Sequence, residues 1–454
     1  MRRLAVFLAM LSACSRDAWP DEDAGSDAAT AVDASKPEEP ANILLVIADD
    51  MGLDASVCHQ IAADPGRAPH IQSICARGVV FDNAWATPLC SPTRASILTG
   101  RHGFRTAVGT AGHPLPLSER ALPRALVEGN PQYAVGAVGK WHLSNATNGG
   151  PDHPNLVGFS HFAGSMGAQV PNYSSWSRVV NGVMAPETQY ATTVTVNDAR
   201  EWIAEQTRPW LMWLAFNAGH SPFHTPPADL HTYTMLPGPP LPARPVEHYH
   251  AMIEAMDTEL GRLLDGLSPA VLAKTWIIFL GDNGTPSQVT QPPVPSNRAK
   301  GSVYQGGLQV PLAIAGPGVV GGGRRVDAPV HSVDLFKTIL QLAKVDMAKA
   351  LPAGSSTVDS VSLVPYLEQV DQAPLRPWVM SEVFGGGFAG ESGKAIRDKD
   401  FKLIRFDSGS NELYDLRSDP YEGTNLMASG PLSEEAEAHR SSLTAALDAL
   451  LASP

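Results

Sequence analysis

Four residues able to hold a hard cation occur as two adjacent pairs, Asp49-Asp50 and Asp282-Asn283. Three carboxylates and one amide offer oxygen alone. That suits Ca2+ or Mg2+ far better than Zn2+, which favours nitrogen and sulfur. Asp49-Asp50 alone would fit a strand-end turn with a helix cap; the second pair, in the same kind of place, supports a metal site. His142 and His220 titrate near neutrality and so suit proton transfer. Lys140 and Lys300 are compact charges able to bind an anion, or ordinary solvated lysines. Cys90 lies in Cys90-Ser91-Pro92-Thr93-Arg94, followed by Leu98-Thr99-Gly100-Arg101. Taken alone, that segment fits a buried structural thiol as well as a reactive one, and Arg94 fits a salt bridge.

Positioning these groups requires strands. Ile43–Ile47 is an unbroken apolar run ending in Asp49-Asp50, as expected of a strand buried on both faces. Similar runs recur at Tyr133–Val138, Leu211–Phe216, Trp276–Leu280 and Pro311–Ala315. Helical patterns lie between them, at His70–Arg77, Glu119–Val127, Thr192–Glu205, Tyr249–Leu264 and Val333–Ala343. The alternation predicts an α/β fold: a large, mostly parallel sheet with helices on both faces. Asp49-Asp50, Lys140-Trp141-His142, His220 and Asp282-Asn283 each follow a predicted strand, so they should converge beyond the carboxyl ends of one sheet. The texture changes near residue 371. Trp378–Val383, Lys402–Phe406 and Glu412–Leu416 read as short strands and Glu434–Leu451 as a closing helix, a small antiparallel subdomain. The stretch 281–307 lacks periodicity and reads as a loop.

The Cys90–Arg94 segment with Thr99-Gly100-Arg101 resembles the signature of the formylglycine-dependent sulfatases, members of the alkaline phosphatase superfamily, and the chain resembles their arylsulfatase A/B type. The same family's elements are resembled, in order over residues 42–426, by Asn42–Asp50, Gly139-Lys140-Trp141-His142, Ala215–Phe223 with its His220-Ser221-Pro222-Phe223, and Gly281-Asp282-Asn283-Gly284. Lys300-Gly301 with Tyr304-Gln305-Gly306-Gly307, and Glu412–Leu416 through Asp419-Pro420, complete the set. Ser144, where the family commonly has glycine, departs from the pattern and alters the neighbouring wall.

The resemblance implies a sulfuric ester hydrolase. In it Cys90 is oxidised by a maturase to Cα-formylglycine, whose hydrate attacks sulfur with one hydroxyl and is regenerated through the other. It implies Asp49, Asp50, Asp282 and Asn283 as metal ligands, with residue 90 facing the ion. Arg94 would bond the nucleophile and the metal ligands, and Lys140 and Lys300 the sulfate oxygens. His142 would be the base for the second hydroxyl, and His220, which also contacts substrate, the acid for the leaving oxygen. Such cations, nucleophile and acid are what a sulfate monoester with a poor leaving group demands. The substrate would be a sulfated small molecule or glycan. Two alternatives remain: a phosphonate monoester or phosphodiester hydrolase of the same superfamily, and an inactive glycan-binding lipoprotein. His102, His113, His153 and His224 flank the motifs and fit a pocket wall or packing. Trp202, Trp210 and Trp213 fit packing, as does Gly158–Phe162. The loops 101–118, 144–190 and 223–247 would set substrate choice.

The 454 residues are 43% hydrophobic and 17% charged, an ordinary globular balance that excludes a disordered or fibrous chain. The formal charge of −13 gives no basic footprint for nucleic acid. Arg2-Arg3, the apolar run Leu4–Ala13 and Leu11-Ser12-Ala13-Cys14 resemble a bacterial lipoprotein signal (1–14), with Cys14 lipidated. Residues 15–40 carry a net −6 and read as a disordered acidic tether. A catalytic domain (41–370) and the C-terminal subdomain (371–454) follow. The expected location is exported and lipid-anchored, at the bacterial outer membrane, cell surface or periplasm, touching membrane through the anchor only. Cys58 and Cys75 fit either a bridge or two buried thiols.

Overall fold

The structure, a computed structural model, describes residues 40–453 except 235, 237–243, 387–389 and 429. The expected signal peptide, Cys14 and nearly all of the tether lie outside the described residues.

Each apolar run becomes a strand. In chain order these are β1 (Asn42–Ala48), β2 (Val79–Phe81), β3 (Ala84–Trp85), β4 (Ala134–Lys140), β5 (His161–Ser165), β6 (Trp176–Val180), β7 (Val183–Glu187), β8 (Trp210–Ala215), β9 (Thr275–Gly281), β10 (Leu312–Ala315), β11 (Arg324–Val326) and β12 (Val330–His331). Ten of them form one sheet in the order β11-β2-β10-β9-β1-β8-β4-β5-β6-β7. From β9 through β5 the neighbours run parallel. β10 runs antiparallel to β9, and the β6–β7 hairpin lies antiparallel at the far edge. The sheet is therefore mixed and mostly parallel, as expected.

Alternation in β1 shows why the central strands are apolar throughout. Ile43, Leu45 and Ile47 enter one core, and Leu44, Val46 and Ala48 the other. Helices Cys90–Thr99, Leu122–Gly129 and Leu335–Leu342 supply the first core; Pro69–Arg77, Ala191–Ala204 and Pro245–Asp265 supply the second. Trp202, Trp210 and Trp213 are buried in these cores. Phe159 and Phe162 pack edge-on against Trp141.

Several boundaries move. The second predicted strand continues to Lys140, so this lysine ends the strand rather than following it. The predicted helix at Glu119 begins at Leu122, because Pro123 is well placed in a first turn. β5, β6 and β7 were hidden in sequence by short, polar or glycine-containing segments. The 281–307 stretch holds a 3-10 turn at Ser296–Arg298 and the start of a short helix, Gln305–Leu308.

A second sheet, β13 (Val379–Val383), β14 (Gly393–Arg397), β15 (Phe401–Phe406) and β16 (Asn411–Asp415), is an antiparallel meander. β14 was not anticipated. One face packs through Val379, Ala395 and Ile404 on Trp85, Leu89 and Leu308; the other, through Met380, Ile396 and Leu413, is covered by helix Glu434–Ala452. Cys58 and Cys75 form a disulfide, which resolves the alternative left open by sequence.

Candidate active site

The parallel register brings four strand ends level. Ile47 lies beside both Ala215 and Leu280, Ala48 beside Gly281, and Gly139 beside Ala215. Asp49-Asp50, Lys140, the 217–220 turn and Asp282-Asn283 therefore emerge along one edge. Gly139 is required there: its φ is +90°, and a Cβ would lie 1.8 Å from the Ala215 carbonyl oxygen. Cys90 opens the helix Cys90–Thr99, all ten residues of which are buried. Its Sγ lies 3.4 Å from Asp49 Oδ1, 3.9 Å from Asp50 Oδ1 and 3.4 Å from Lys140 Nζ.

Three cations face the three carboxylates. Lys140 Nζ donates to Asp49 Oδ2 at 2.5 Å, and Lys300 Nζ lies 2.5 Å from Asp50 Oδ1. Arg94 donates from Nε and Nη2 to Asp282 Oδ2 at 3.1 and 2.8 Å, and from Nη1 to the Lys140 carbonyl at 2.7 Å. Burial would raise the Asp50 carboxyl, but Lys300, His220 and Lys140 hold it below the usual range. Burial and neighbouring Asp49 push Asp282 up to about 6, against the pull of Arg94. Burial would lower the ammonium of Lys140, yet Asp49 leaves it raised. The Cys90 thiol is pushed far up by burial, with Lys140 and Lys300 opposing, so an unmodified Cys90 stays protonated.

The histidines differ. His142 is buried, at φ +60°, and its Nδ1 has no hydrogen-bond partner. Burial, Lys140 and Arg94 hold it well below its ordinary value, hence neutral. Ser91 Oγ donates to its carbonyl at 2.8 Å, linking it to the Cys90 helix. His220 Nδ1 lies 2.9 Å from the Ser221 carbonyl, which can only accept, so the hydrogen sits on Nδ1 and Nε2 faces Asp50 Oδ2 at 3.8 Å. Burial lowers His220, and Asp50 opposes this.

The donor set suits a hard cation. Oxygens of Asp49, Asp50 and Asp282 and the Cys90 sulfur lie within 4.8 Å of one another. Asn283 Nδ2 donates to Asp50 Oδ1 at 2.8 Å and to the Gly284 carbonyl at 3.0 Å, which fixes the amide. Its Oδ1 is left buried without a hydrogen-bond partner, as a metal ligand would be.

Other residues shape the site without a sequence signal. Tyr249 donates to the Asp50 carbonyl at 2.8 Å. The Tyr173 hydroxyl lies 2.6 and 2.7 Å from the carbonyls of Asn217 and His220, clamping the turn that carries His220. A cavity of about 790 Å³ is lined by Asp50, His220 and Lys300 together with Phe223, Gln169 and Gln288. Of the predicted loops, 144–190 and 223–247 contribute to it, whereas 101–118 does not. The four flanking histidines stand elsewhere. His153 accepts from Trp141 Nε1 at 3.0 Å and donates to the Leu115 carbonyl, and His102 packs against Phe104 and His331. His113 accepts from the Gly109 amide, and His224 packs on Tyr173.

Residues 41–345 match the model of the sulfatase family, and residues 299–449 that of the C-terminal region of N-sulphoglucosamine sulphohydrolase. Human N-acetylgalactosamine-6-sulfatase is 28% identical over 379 residues, covering 74% of this chain and 67% of that protein. The chain spans about two thirds of the length of the curated N-acetylgalactosamine-6-sulfatases it matches. Two solved structures share the fold. Ps i-CgsB in complex with k-i-k-neocarrahexaose has a TM-score of 0.75 at 23% identity, covering 91% of this chain and 93% of the other. BT4656 in complex with its substrate D-glucosamine-2-N,6-O-disulfate has a TM-score of 0.71 at 20% identity, covering 90% and 98%.

Proposed function

The chain belongs to the sulfatase family and is a sulfuric ester hydrolase, and we propose that it cleaves sulfate monoesters of sugars at the edge where Cys90 meets Asp49, Asp50 and Asp282. The observation that carries this reading is the three-on-three array of buried carboxylates and cations around one sulfur. The family implies a divalent metal and formylglycine. We assign the metal, a hard divalent cation proposed as calcium with magnesium as the alternative, to Asp49, Asp50, Asp282, Asn283 and residue 90, because the four side chains, and residue 90 once converted, offer oxygen. When bound, the ion supplies positive charge for sulfate oxygens and orients the nucleophile.

A thiol kept protonated by burial is a poor nucleophile, which is a physical reason to convert Cys90. After conversion, residue 90 supplies a hydrated aldehyde with one hydroxyl for attack and one for release. Lys140 and Lys300 hold sulfate oxygens, and Arg94 keeps Asp282 oriented. Neutral His142 takes the proton of the second hydroxyl. His220, its ring set by Ser221, gives a proton to the leaving oxygen; burial lowers this histidine, and Asp50 opposes that by favouring the charged form.

We also propose an exported protein with a signal at 1–14 and lipidation at Cys14, a tether to residue 40, a catalytic domain to 370 and a C-terminal subdomain beyond. The Cys58–Cys75 bridge supports an oxidising compartment. No helix among the described residues is long and apolar enough to cross a membrane. The test co-expresses the chain with a formylglycine-generating maturase and maps the 90–94 peptide by mass spectrometry. Aryl sulfate and phosphate diester turnover are measured beside it. Loss of sulfur at residue 90, calcium in the purified protein and preference for the sulfate are expected; full activity in Cys90→Ala overturns the assignment.

A further inference from the structure

The cavity of about 790 Å³ beside His220 and Lys300 lies within the ~300–1,000 Å³ typical of small-ligand sites. Its walls are unlike its catalytic end. Away from Asp50, His220 and Lys300 they are made by Pro222, Phe223, Pro245 and Pro286. The polar side chains there are neutral: Ser221, Gln169 and Gln288. Both glutamines are exposed, so their amides are available.

Cations are scarce in this direction. Lys300 is the one lysine or arginine lining the cavity among the described residues; it pairs with Asp50 at 2.5 Å and is assigned to the scissile sulfate, so it leaves no cation for a second anion. Arg244, next to Pro245, is bound to Glu247 at 2.7 Å. With a net charge of −13, the chain as a whole offers no attraction to a further anion.

We infer that this cavity takes a leaving group without a second anionic substituent: a neutral sugar ring whose apolar face lies on Phe223 and the prolines and whose hydroxyl or amide groups are read by Gln169 and Gln288. The inference rests on the assignment of His220 and Lys300 to the scissile sulfate. A second sulfate would give up water for carboxamides and proline rings instead of a cation, and that exchange is unfavourable. The glutamine amides, each with donors and an acceptor, instead match hydroxyl and acetamido groups.

The test uses the full chain with formylglycine confirmed at residue 90. Its probes are N-acetylhexosamine monosulfates covering each hydroxyl position and disulfates matched to them. The best monosulfate should exceed its matched disulfate in kcat/KM by roughly tenfold or more, a discount for the open, screened wall included. Gln169→Lys and Gln288→Lys place a cation on the wall without touching the catalytic groups. Each should raise kcat/KM for the disulfate relative to that for the monosulfate by up to about fivefold at low salt, the gain fading at high salt, while the monosulfate itself loses the contact made by the replaced amide. A disulfate turned over as well as or better than its monosulfate, or no gain from either lysine, overturns the inference and leaves the sulfatase assignment standing. Failure to hydrolyse any sulfate overturns both.

Discussion

Arg94→Met removes the best-anchored cation of the site while keeping much of its bulk. Arg94 is fully buried, and its guanidinium makes two bonds to Asp282 Oδ2 and one to the Lys140 carbonyl. Without it Asp282 keeps the Asp50 amide, at 3.1 Å on Oδ1, but no guanidinium. Breaking a buried pair from one side costs about 3–5 kcal/mol, and an orphaned carbonyl about 1–3 kcal/mol. Lys140 also stabilises the Asp282 charge, so the expected loss in metal-free protein is about 4–6 kcal/mol. That is a large part of the ~5–15 kcal/mol that holds a domain together. Urea unfolding in EGTA should show it as a lowered midpoint at unchanged slope. Calcium should recover part of the loss, because a cation held by Asp282 replaces the missing charge. Arg94→Lys, which keeps charge but not the fork, should fall between. A loss under about 1 kcal/mol in EGTA, or a difference from wild type that calcium leaves unchanged, refutes the reasoning.

Tyr173→Phe should loosen the turn bearing His220 and lower kcat by up to about tenfold with KM nearly constant; an unchanged kcat would show that the clamp does not position His220. Glu382 is raised by burial to about 7, against the Phe104 amide and Lys394, with Asp359 and Asp407 adding to the rise. The folded state therefore keeps a proton that the unfolded state releases near 4.5, so stability from this group is present below 4.5 and is lost as pH rises to about 7. Glu382→Gln should flatten that slope, worth at most about 3 kcal/mol, in denaturation curves across pH 5 to 8; an identical slope in the variant counts against it. Replacing Cys58 and Cys75 together by serine opens a 17-residue loop and should cost about 3 kcal/mol in unfolding experiments; no loss would mean that the bridge constrains little.

Residue types that chemistry demands are local, and sequence shows them. Oxygen ligands in Asp49-Asp50 and Asp282-Asn283, lysines at 140 and 300, histidines at 142 and 220, and Cys90 before Arg94 were visible as candidates one by one, and their ordered resemblance to one family over residues 42–426 singled them out. The central strands were equally legible, because burial on both faces forces an unbroken apolar run such as Ile43–Ile47. Strand ends shifted by a residue or two, as at Lys140, where pairing with β5 carries the strand past the apolar run.

What sequence could not supply depends on partners far along the chain. That Ala48 lies level with Gly281, and so Asp49 with Asp282, is a matter of register, set by hydrogen bonds between distant strands. The buried, unpartnered oxygen of Asn283 exists only because its amide nitrogen is held by Asp50 and Gly284. Tyr173 resembles any core tyrosine until its hydroxyl meets the 217–220 turn, and Gln169 and Gln288 resemble any loop glutamine until folding puts them on one wall. The sequence alone determined which residues could do the chemistry and which central segments would be strands. The tertiary structure decided which atoms face one another, because facing is fixed by packing and register across the whole sheet, and no local pattern encodes it.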